Sequence, residues 1–432
     1  MWKNRGVRSA VIAAVSTLLS ACAANELGRN PPAVTPAGFT GHTIGRASSY
    51  RVLYRFGFHG VGVAHTPLAG LLNVGGLLYG TTAEADTRSR DGGTVYSITA
   101  AGHHKTLHYF FDPYHVRGPD GYGPMADLTE VNGTLYGTTN FGGGLAQGTV
   151  YSVTPTGTER ILHSFGYLPD GAQPQAGLTE LNGTLYGTTT LGGVAGSACV
   201  WPWNDGCGTI YSVTPSGAEH VLYRFSGGSD GEGPAAQLVA INGVLYGTTQ
   251  YAGATAGPAG AGTVFAITPN GSLKVLHAFG SRRGDGWTPV TGLVAVNGTL
   301  YGTTKNGGQY GDGTVFSITT DGREKVLYSF RGDPDGWQPE AKLTYLNGML
   351  YGTTRFGGGS EACGHLFGCG TVYGITTSGV ETVLYGFTGG LDGALPLSTL
   401  AVRHGTLYGT TEQGGDGACK RRGCGTAFAL TP

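Results

Sequence analysis

Short runs of alternating apolar and polar residues fill most of this chain, and they return as an ordered set of four. In one copy of the set, residues 178–181 form a brief apolar-polar run that ends at Asn182-Gly183. Asn-Gly is the strongest two-residue hairpin signal, because both turn positions need positive φ. Residues 184–189, Thr-Leu-Tyr-Gly-Thr-Thr, therefore read as a second strand antiparallel to the first. A glycine-rich loop leads to a third strand at residues 208–214, closed by a turn at Pro215-Ser216-Gly217. Residues 220–225 supply a fourth, rich in Val, Leu, Tyr and Phe. Four antiparallel strands repeated every 50 to 60 residues predict the blades of a β-propeller.

The second strand marks the period. Its copies place Tyr79, Tyr136, Tyr186, Tyr246, Tyr301, Tyr351 and Tyr408 at one point of the repeat, at intervals of 57, 50, 60, 55, 50 and 57 residues. Such self-similarity dictates the architecture before any local reading. Glycine in the middle of this strand, Gly187 and its equivalents, would weaken an isolated strand, and its return predicts close approach of a neighbouring blade. The last repeat stops after its third strand, residues 425–432, whereas residues 50–56 form a fourth strand ahead of the first repeat. Pairing the two closes a ring and removes a vulnerable edge. The expected fold class is thus all-β: a seven-bladed β-propeller of four-stranded antiparallel blades, about 28 strands, closed by the N-terminal strand and monomeric. A linear solenoid would instead need capping repeats.

Glycine supplies 81 of the 432 residues, yet Val, Leu, Tyr and Thr punctuate it regularly, which separates the chain from disordered glycine-rich sequences. One repeated unit over residues 50–432 favours a single large domain. Charged residues make up 12% and the net charge is -1, so there is neither a basic footprint for nucleic acid nor an acidic tail. Near the start, Lys3, Arg5 and Arg8 precede an apolar run, residues 10–19, of signal-peptide length and too short to span a bilayer. It ends in Leu19-Ser20-Ala21-Cys22, which resembles the lipobox of bacterial lipoproteins, whose cysteine is diacylated and becomes the new N-terminus. That resemblance implies a lipoprotein signal over residues 1–22, membrane attachment through Cys22 and an extracytoplasmic envelope location, with Ala23 favouring the outer membrane. Residues 23–49 contain Pro31, Pro32 and Pro36 and no apolar period, and read as a flexible tether.

The whole repeat runs Asn-Gly-x-Leu-Tyr-Gly-Thr-Thr, then Gly-Gly, then Gly-Thr-Val-Tyr-Ser-Val-Thr-Pro, then Val-Leu-Tyr-x-Phe and Asp-Gly-x-x-Pro. Over residues 50–432 it resembles the GloVer tandem-repeat proteins, which are secreted or surface proteins with varied anchors. The resemblance implies the fold and a surface location and supplies no catalytic residues. The repeat is also distantly similar to kelch blades, without their glycine pair followed by Tyr and Trp.

Besides Cys22, the cysteines form three close pairs: Cys199 with Cys207, Cys363 with Cys369, and Cys419 with Cys424. Each pair lies between a second and a third strand. In a secreted protein this reads as three local disulfides; a zinc site would need two further ligands beside one pair, and no metal or other cofactor is expected.

An internal repeat is its own control: what returns in every copy belongs to the scaffold, and what departs is a candidate for function. Asp120, Asp170, Asp230, Asp285, Asp335 and Asp392 each precede glycine in a connection between blades, where they serve as turn residues or, alternatively, as a ring of cation- or sugar-binding carboxylates. His108, His163 and His277 stand where other copies have Tyr54, Tyr223, Tyr328 and Tyr385, which points to a packing position. Asn132, Asn182 and Asn297 match a glycosylation acceptor but sit in the hairpin turns.

The departures gather on the rim that carries the blade connections and the loops between second and third strands. Trp201, Trp203, Asn204 and Asp205, with Trp287 and Trp337, could stack on sugar rings or seal blade junctions. Ring closure would join Glu84, Asp86, Arg88 and Arg90 to Lys420, Arg421 and Arg422, near His59 and His65, as a charged cluster for an acidic ligand, as an acid-base pair, or as solvated loop charge. No nucleophile elbow, zinc-protease helix, phosphate loop or dinucleotide fingerprint occurs. The expected function is a lipid-anchored binding module for a glycan or a protein; a carbohydrate-active lyase or hydrolase and a structural envelope component are the alternatives. An enzyme predicts convergent buried titratable groups at the axis, a binder an open aromatic or polar rim.

Overall fold

The computed structural model describes residues 49–57, 64–85, 91–111, 120–166, 168–194, 199, 206–253, 261–364, 367–415 and 423–432. These form seven four-stranded antiparallel sheets, each one blade. Blade three is representative, with Thr179–Leu181, Thr184–Thr189, Thr209–Val213 and Glu219–Arg224 in spatial order. The seventh sheet has the order Ser49–Arg55, Thr426–Thr431, Thr406–Thr411, Ala401–Arg403, with Tyr50 opposite Leu430 and Arg55 opposite Thr426. The N-terminal strand is therefore the fourth strand of blade seven, as its sequence predicts.

The hairpins follow from their residues. Asn132, Asn182, Asn242, Asn297 and Asn347 have φ between 49° and 54°, and each following glycine also has positive φ, as a type I′ turn requires. The returning Thr-Thr pair has two jobs. The second threonine shares a hydrogen bond with the threonine that opens the third strand, as between Thr189 and Thr209 at 2.8 Å. The first reaches the next blade, as in Thr138 Oγ1 donating to Ala176 O at 3.1 Å. Across the ring closure Thr410 donates in the same way to Ala69 O at 3.0 Å.

The mid-strand glycines correct one expectation. A Cβ on Gly187 would lie 2.4 Å from the hydroxyl of Tyr211 and 2.9 Å from Leu178, both in blade three itself. The crowding comes from the blade's own third-strand aromatic, which crosses over the glycine, and not from a neighbouring blade. The aromatic carries the inter-blade packing instead. Tyr211 belongs to a cluster with Val150, Leu162 and Phe165 of blade two. Seven such wedges, each shared by two adjacent blades, make up the core. The wedge between blades seven and one contains Phe56, Tyr96 and Ala427 and is built like the others.

This packing sets two faces. The three-residue first strands are innermost and lie against one another around the axis. Blade connections pair with the starts of the loops between second and third strands, for example Trp287 with Asn306 and Trp337 with Phe356, so both share one face, the loop face. The Asn-Gly hairpins and the turns between third and fourth strands form the opposite, hairpin face.

Candidate functional site at the propeller axis

The residue after each Thr-Thr pair ends a second strand at the loop face, beside the innermost strand. Its seven occupants are all different: Ala83, Asn140, Thr190, Gln250, Lys305, Arg355 and Glu412. Three of them are charged and meet in a network with Glu340. Lys305 Nζ lies 2.9 Å from Glu340 Oε1, and Arg355 lies 3.4 Å from Glu340 and 3.7 Å from Glu412. Within this network two cations thus face two carboxylates, and a further acid, Glu232, is buried on the same face at the position equivalent to Trp337. The Arg355 side chain is only 7% exposed, and its Nε has no protein partner among the described residues. Asn140 is 1% exposed, and neither its Nδ2 nor its Oδ1 has a hydrogen-bond partner among the described residues. Buried amides are ordinarily satisfied, so an orphaned donor-acceptor pair calls for water or a ligand.

Aromatic rings surround this mouth. Trp337 packs on Phe356 at 4.7 Å and stacks with Phe367 at 5.6 Å, while its Nε1 donates to Phe367 O at 3.3 Å. The Arg355 guanidinium lies 5.4 Å from the Phe356 ring centre, which joins the aromatic group to the charged one. Tyr122 and Phe141 form a second stacked pair at 5.2 Å, and Phe141 follows Asn140 directly. Trp287 instead packs against the wedge between blades four and five, the junction-sealing role. Trp201, Trp203, Asp205, Arg88, Arg90 and Arg421 lie outside the described residues, as do Asp86, Lys420, Arg422, His59 and Cys22. The charged cluster expected at the ring closure falls there as well. His65 pairs by backbone with Glu84 and bonds Thr66 through its ring at 3.1 Å.

The loop disulfides are present at Cys199–Cys207 and Cys363–Cys369. Cys424 is also disulfide-bonded, and Cys419 lies outside the described residues. Cys207 and Cys369 are fully buried in their wedges, so two of the bridges tie variable loops directly to the core.

The Asp-Gly carboxylates are turn acceptors. Asp170, Asp230, Asp335 and Asp392 each accept the backbone N–H four residues earlier, at 2.8 to 3.0 Å. Each also accepts from the exchanging fourth-strand residue, a tyrosine hydroxyl in three cases and His163 Nε2 in the fourth. His and Tyr interchange because both present a donor at this reach, so the position bonds as well as packs. A glutamate of the next blade completes several junctions. His163, Asp170 and Glu219, and likewise His277, Asp285 and Glu324, bring ligand atoms within 4.8 Å of one another. Where tyrosine stands instead, at Tyr328, Asp335 and Glu381, burial and then the Asp335 charge push the Glu381 carboxyl up to about 8.

A second constellation lies deeper along the axis, at the residue before the leucine that leads into each first strand. Asp127, Gln237 and Lys342 occupy blades two, four and six, Gly70, Gly177 and Gly292 occupy blades one, three and five, and Thr399 occupies blade seven. The glycines stand where the backbone of the preceding blade comes close and the long axial side chains pass. A Cβ on Gly292 would lie 2.8 Å from Gln237 O and 3.2 Å from the Lys342 stem, and one on Gly70 would lie 3.0 Å from Asp127 Oδ1. Lys342 crosses over blade five to donate to Gln237 Oε1 at 3.0 Å, and burial lowers its pKa against the opposing pull of Asp127. A cavity of about 570 Å³ reaches from these residues along the first strands of blades one and two to Gly75 and Glu130 on the hairpin face. Both axial sets are convergent and polar, and both were missed by reasoning that looked for departures only in loops. Their signal is a variable residue beside an invariant one, after Thr-Thr in one case and before leucine in the other.

None of the curated proteins matches the sequence. Among solved structures the chain is similar to streptogramin B lyase, at 15% identity, 89% coverage of this chain, 98% of that chain and a TM-score of 0.54. It is less similar to a Mycobacterium tuberculosis puromycin-hydrolyzing peptidase, at 12% identity, 83% and 53% coverage and a TM-score of 0.49. A gluconolactonase from Xanthomonas campestris matches at 14% identity, 69% and 82% coverage and a TM-score of 0.38. At these identities the first likeness conveys the propeller fold and the other two carry nothing further. The Gloeobacter/Verrucomicrobia repeat matches residues 42–201 and 203–367, well over half of the sequence, and the chain belongs to that repeat family.

Proposed function

We propose that the protein is a binding module of the bacterial cell envelope, held at the membrane by a lipid on Cys22, and that it receives a carbohydrate at the axial mouth of the loop face. The observation that carries this reading is Asn140, a buried carboxamide whose donor and acceptor both lack a partner among the described residues. Sugar hydroxyls answer that pair, since each both donates and accepts. Lys305 and Arg355 are already paired with Glu340 and Glu412, and Glu232 adds an acid to the same face, which together favour a neutral polyhydroxy ligand over an anion. Half-buried Trp337, with Phe356 and Phe367, supplies the apolar surface that a sugar ring needs.

A glycan array probed with the purified protein tests this. Binding of a defined neutral glycan is expected, and Asn140→Ala and Trp337→Ala should each weaken it by about tenfold, the equivalent of one hydrogen bond or one ring contact. An array with no binding, or variants that bind like the parent, would overturn the proposal. Consumption of the glycan during the assay would reassign Glu340 and Glu412 to acid-base roles in the enzyme alternative. For the anchor, labelling with a fatty-acid analogue should be lost in Cys22→Ser.

A further inference from the structure

The opposite end of the axis holds a second, chemically different constellation. A lysine ammonium can donate three hydrogen bonds, and among the described residues Lys342 makes one, to Gln237 Oε1. Gln237 Nε2 is committed to Leu178 O at 2.7 Å. Asp127 Oδ1 accepts from Gly70 N at 2.6 Å, and among the described residues no ion pair joins Asp127 to Lys342. The cavity of about 570 Å³ is thus faced by the Lys342 ammonium, whose two other N–H groups have no hydrogen-bond partner among the described residues, by the Asp127 carboxylate with one oxygen engaged, and at its hairpin-face end by Glu130, whose Oε1 accepts from Gly133 N. The fold does not need this arrangement, because the same position is Gly, Gln or Thr in five other blades. At the three glycines a Cβ would lie 2.6 to 2.8 Å from a backbone oxygen of the preceding blade, with Asp127, Gln237 or the Lys342 stem within 3.4 Å, so the long side chains pass over positions that hold no side chain of their own. The volume falls in the range of small-molecule sites.

We propose that the hairpin-face cavity binds a small hydroxycarboxylate, of the size of a sugar acid. The ligand carboxylate accepts the two free N–H groups of Lys342, and one ligand hydroxyl donates to Asp127. A crowded ammonium is poorly solvated without an anion, and the lowered pKa of Lys342 agrees in direction. This site is independent of the loop-face mouth.

Isothermal titration of the purified full-length protein with D-galacturonate tests the proposal, with D-galactose as the neutral control. Both are measured in an Asn140→Ala, Trp337→Ala background, so that binding at the loop-face site is weakened and a loss caused by a Lys342 substitution reports on the hairpin-face cavity. Saturable binding of galacturonate and none of galactose is expected. Lys342→Met should weaken it about ten- to a hundredfold, the range of a hydrogen bond to a charged group, whereas Lys342→Arg should retain part of it. Affinity should fall as pH rises through the depressed lysine pKa. If Lys342→Met melts below the parent, Lys342→Gln, which can still bond Gln237, takes its place. Absence of galacturonate binding, equal binding by galactose, or a folded Lys342 variant that binds like the parent would overturn the assignment. A glycan-array failure would leave it untouched.

Discussion

At the scale of single residues, the blade junctions exchange histidine for tyrosine because both supply a donor to the same carboxylate. Tyr328 stands in a junction that keeps both Asp335 and Glu381, and it sets two carboxylates together beside a phenol. Burial first, and then the Asp335 charge, hold the Glu381 carboxyl up to about 8. A carboxyl with a raised folded pKa is neutral in both states below about 4.5; above that the unfolded chain ionises and the folded one does not. Stability present at low pH is therefore lost as pH rises from about 4.5 to about 8. Glu381→Gln should flatten this slope and raise stability at pH 8 by a few kcal/mol, read from denaturant midpoints at a series of pH values. The mid-strand glycine makes the converse case. Gly187→Ala places a methyl 2.4 Å from the Tyr211 hydroxyl inside a packed wedge, and it should cost about 1 to 3 kcal/mol by the same assay.

At the scale of elements, the decisive piece is Ser49–Arg55. It covers the edge of Thr426–Thr431, and Tyr50 stacks on Tyr385 of blade six at 4.0 Å, so one strand serves two junctions. Deleting residues 49–57 should expose a six-residue edge, lower the melting temperature and produce concentration-dependent association on size-exclusion chromatography. A monomer with unchanged melting would refute the clasp. The junction it closes is also acid-sensitive. His104 stacks on Tyr54 at 4.5 Å, and burial lowers its pKa to about 4. The unfolded imidazole protonates near 6.5, so stability held above that pH is lost as pH falls from about 6.5 to about 4. His104→Phe should remove that part of the acid transition, followed by melts between those pH values.

At the scale of the whole molecule, the axis has two unlike ends: a mouth on the loop face with an ion-pair network and aromatic groups at two blades, and a cavity on the hairpin face lined by Lys342, Asp127 and Glu130. The blade order, the hairpins, the closing strand and the local disulfides at Cys199–Cys207 and Cys363–Cys369 were legible in the chain alone. Each depends on neighbours in sequence or on a repeated pattern. Asn-Gly specifies its turn through two backbone angles, and the fourth-strand pattern of residues 50–56 specifies its partner because only one blade lacks that strand. The candidate sites were legible only in part. Trp337 does lie on the loop face beside the charged mouth, but Trp287 seals a junction, and nothing local in either sequence separates the two roles.

Local residue chemistry and periodicity thus determined the blade, the count of seven and the closure, because a four-stranded unit can bury its faces only against copies of itself. Which side chains meet was decided by the ring. Gln237 and Lys342 are 105 residues apart and become hydrogen-bonded only because closure brings alternate blades to one axis. Gly292 between them owes its size to that approach and not to backbone angle. Asn140 is an ordinary residue after Thr-Thr until blade packing buries it with no partner for either polar atom among the described residues.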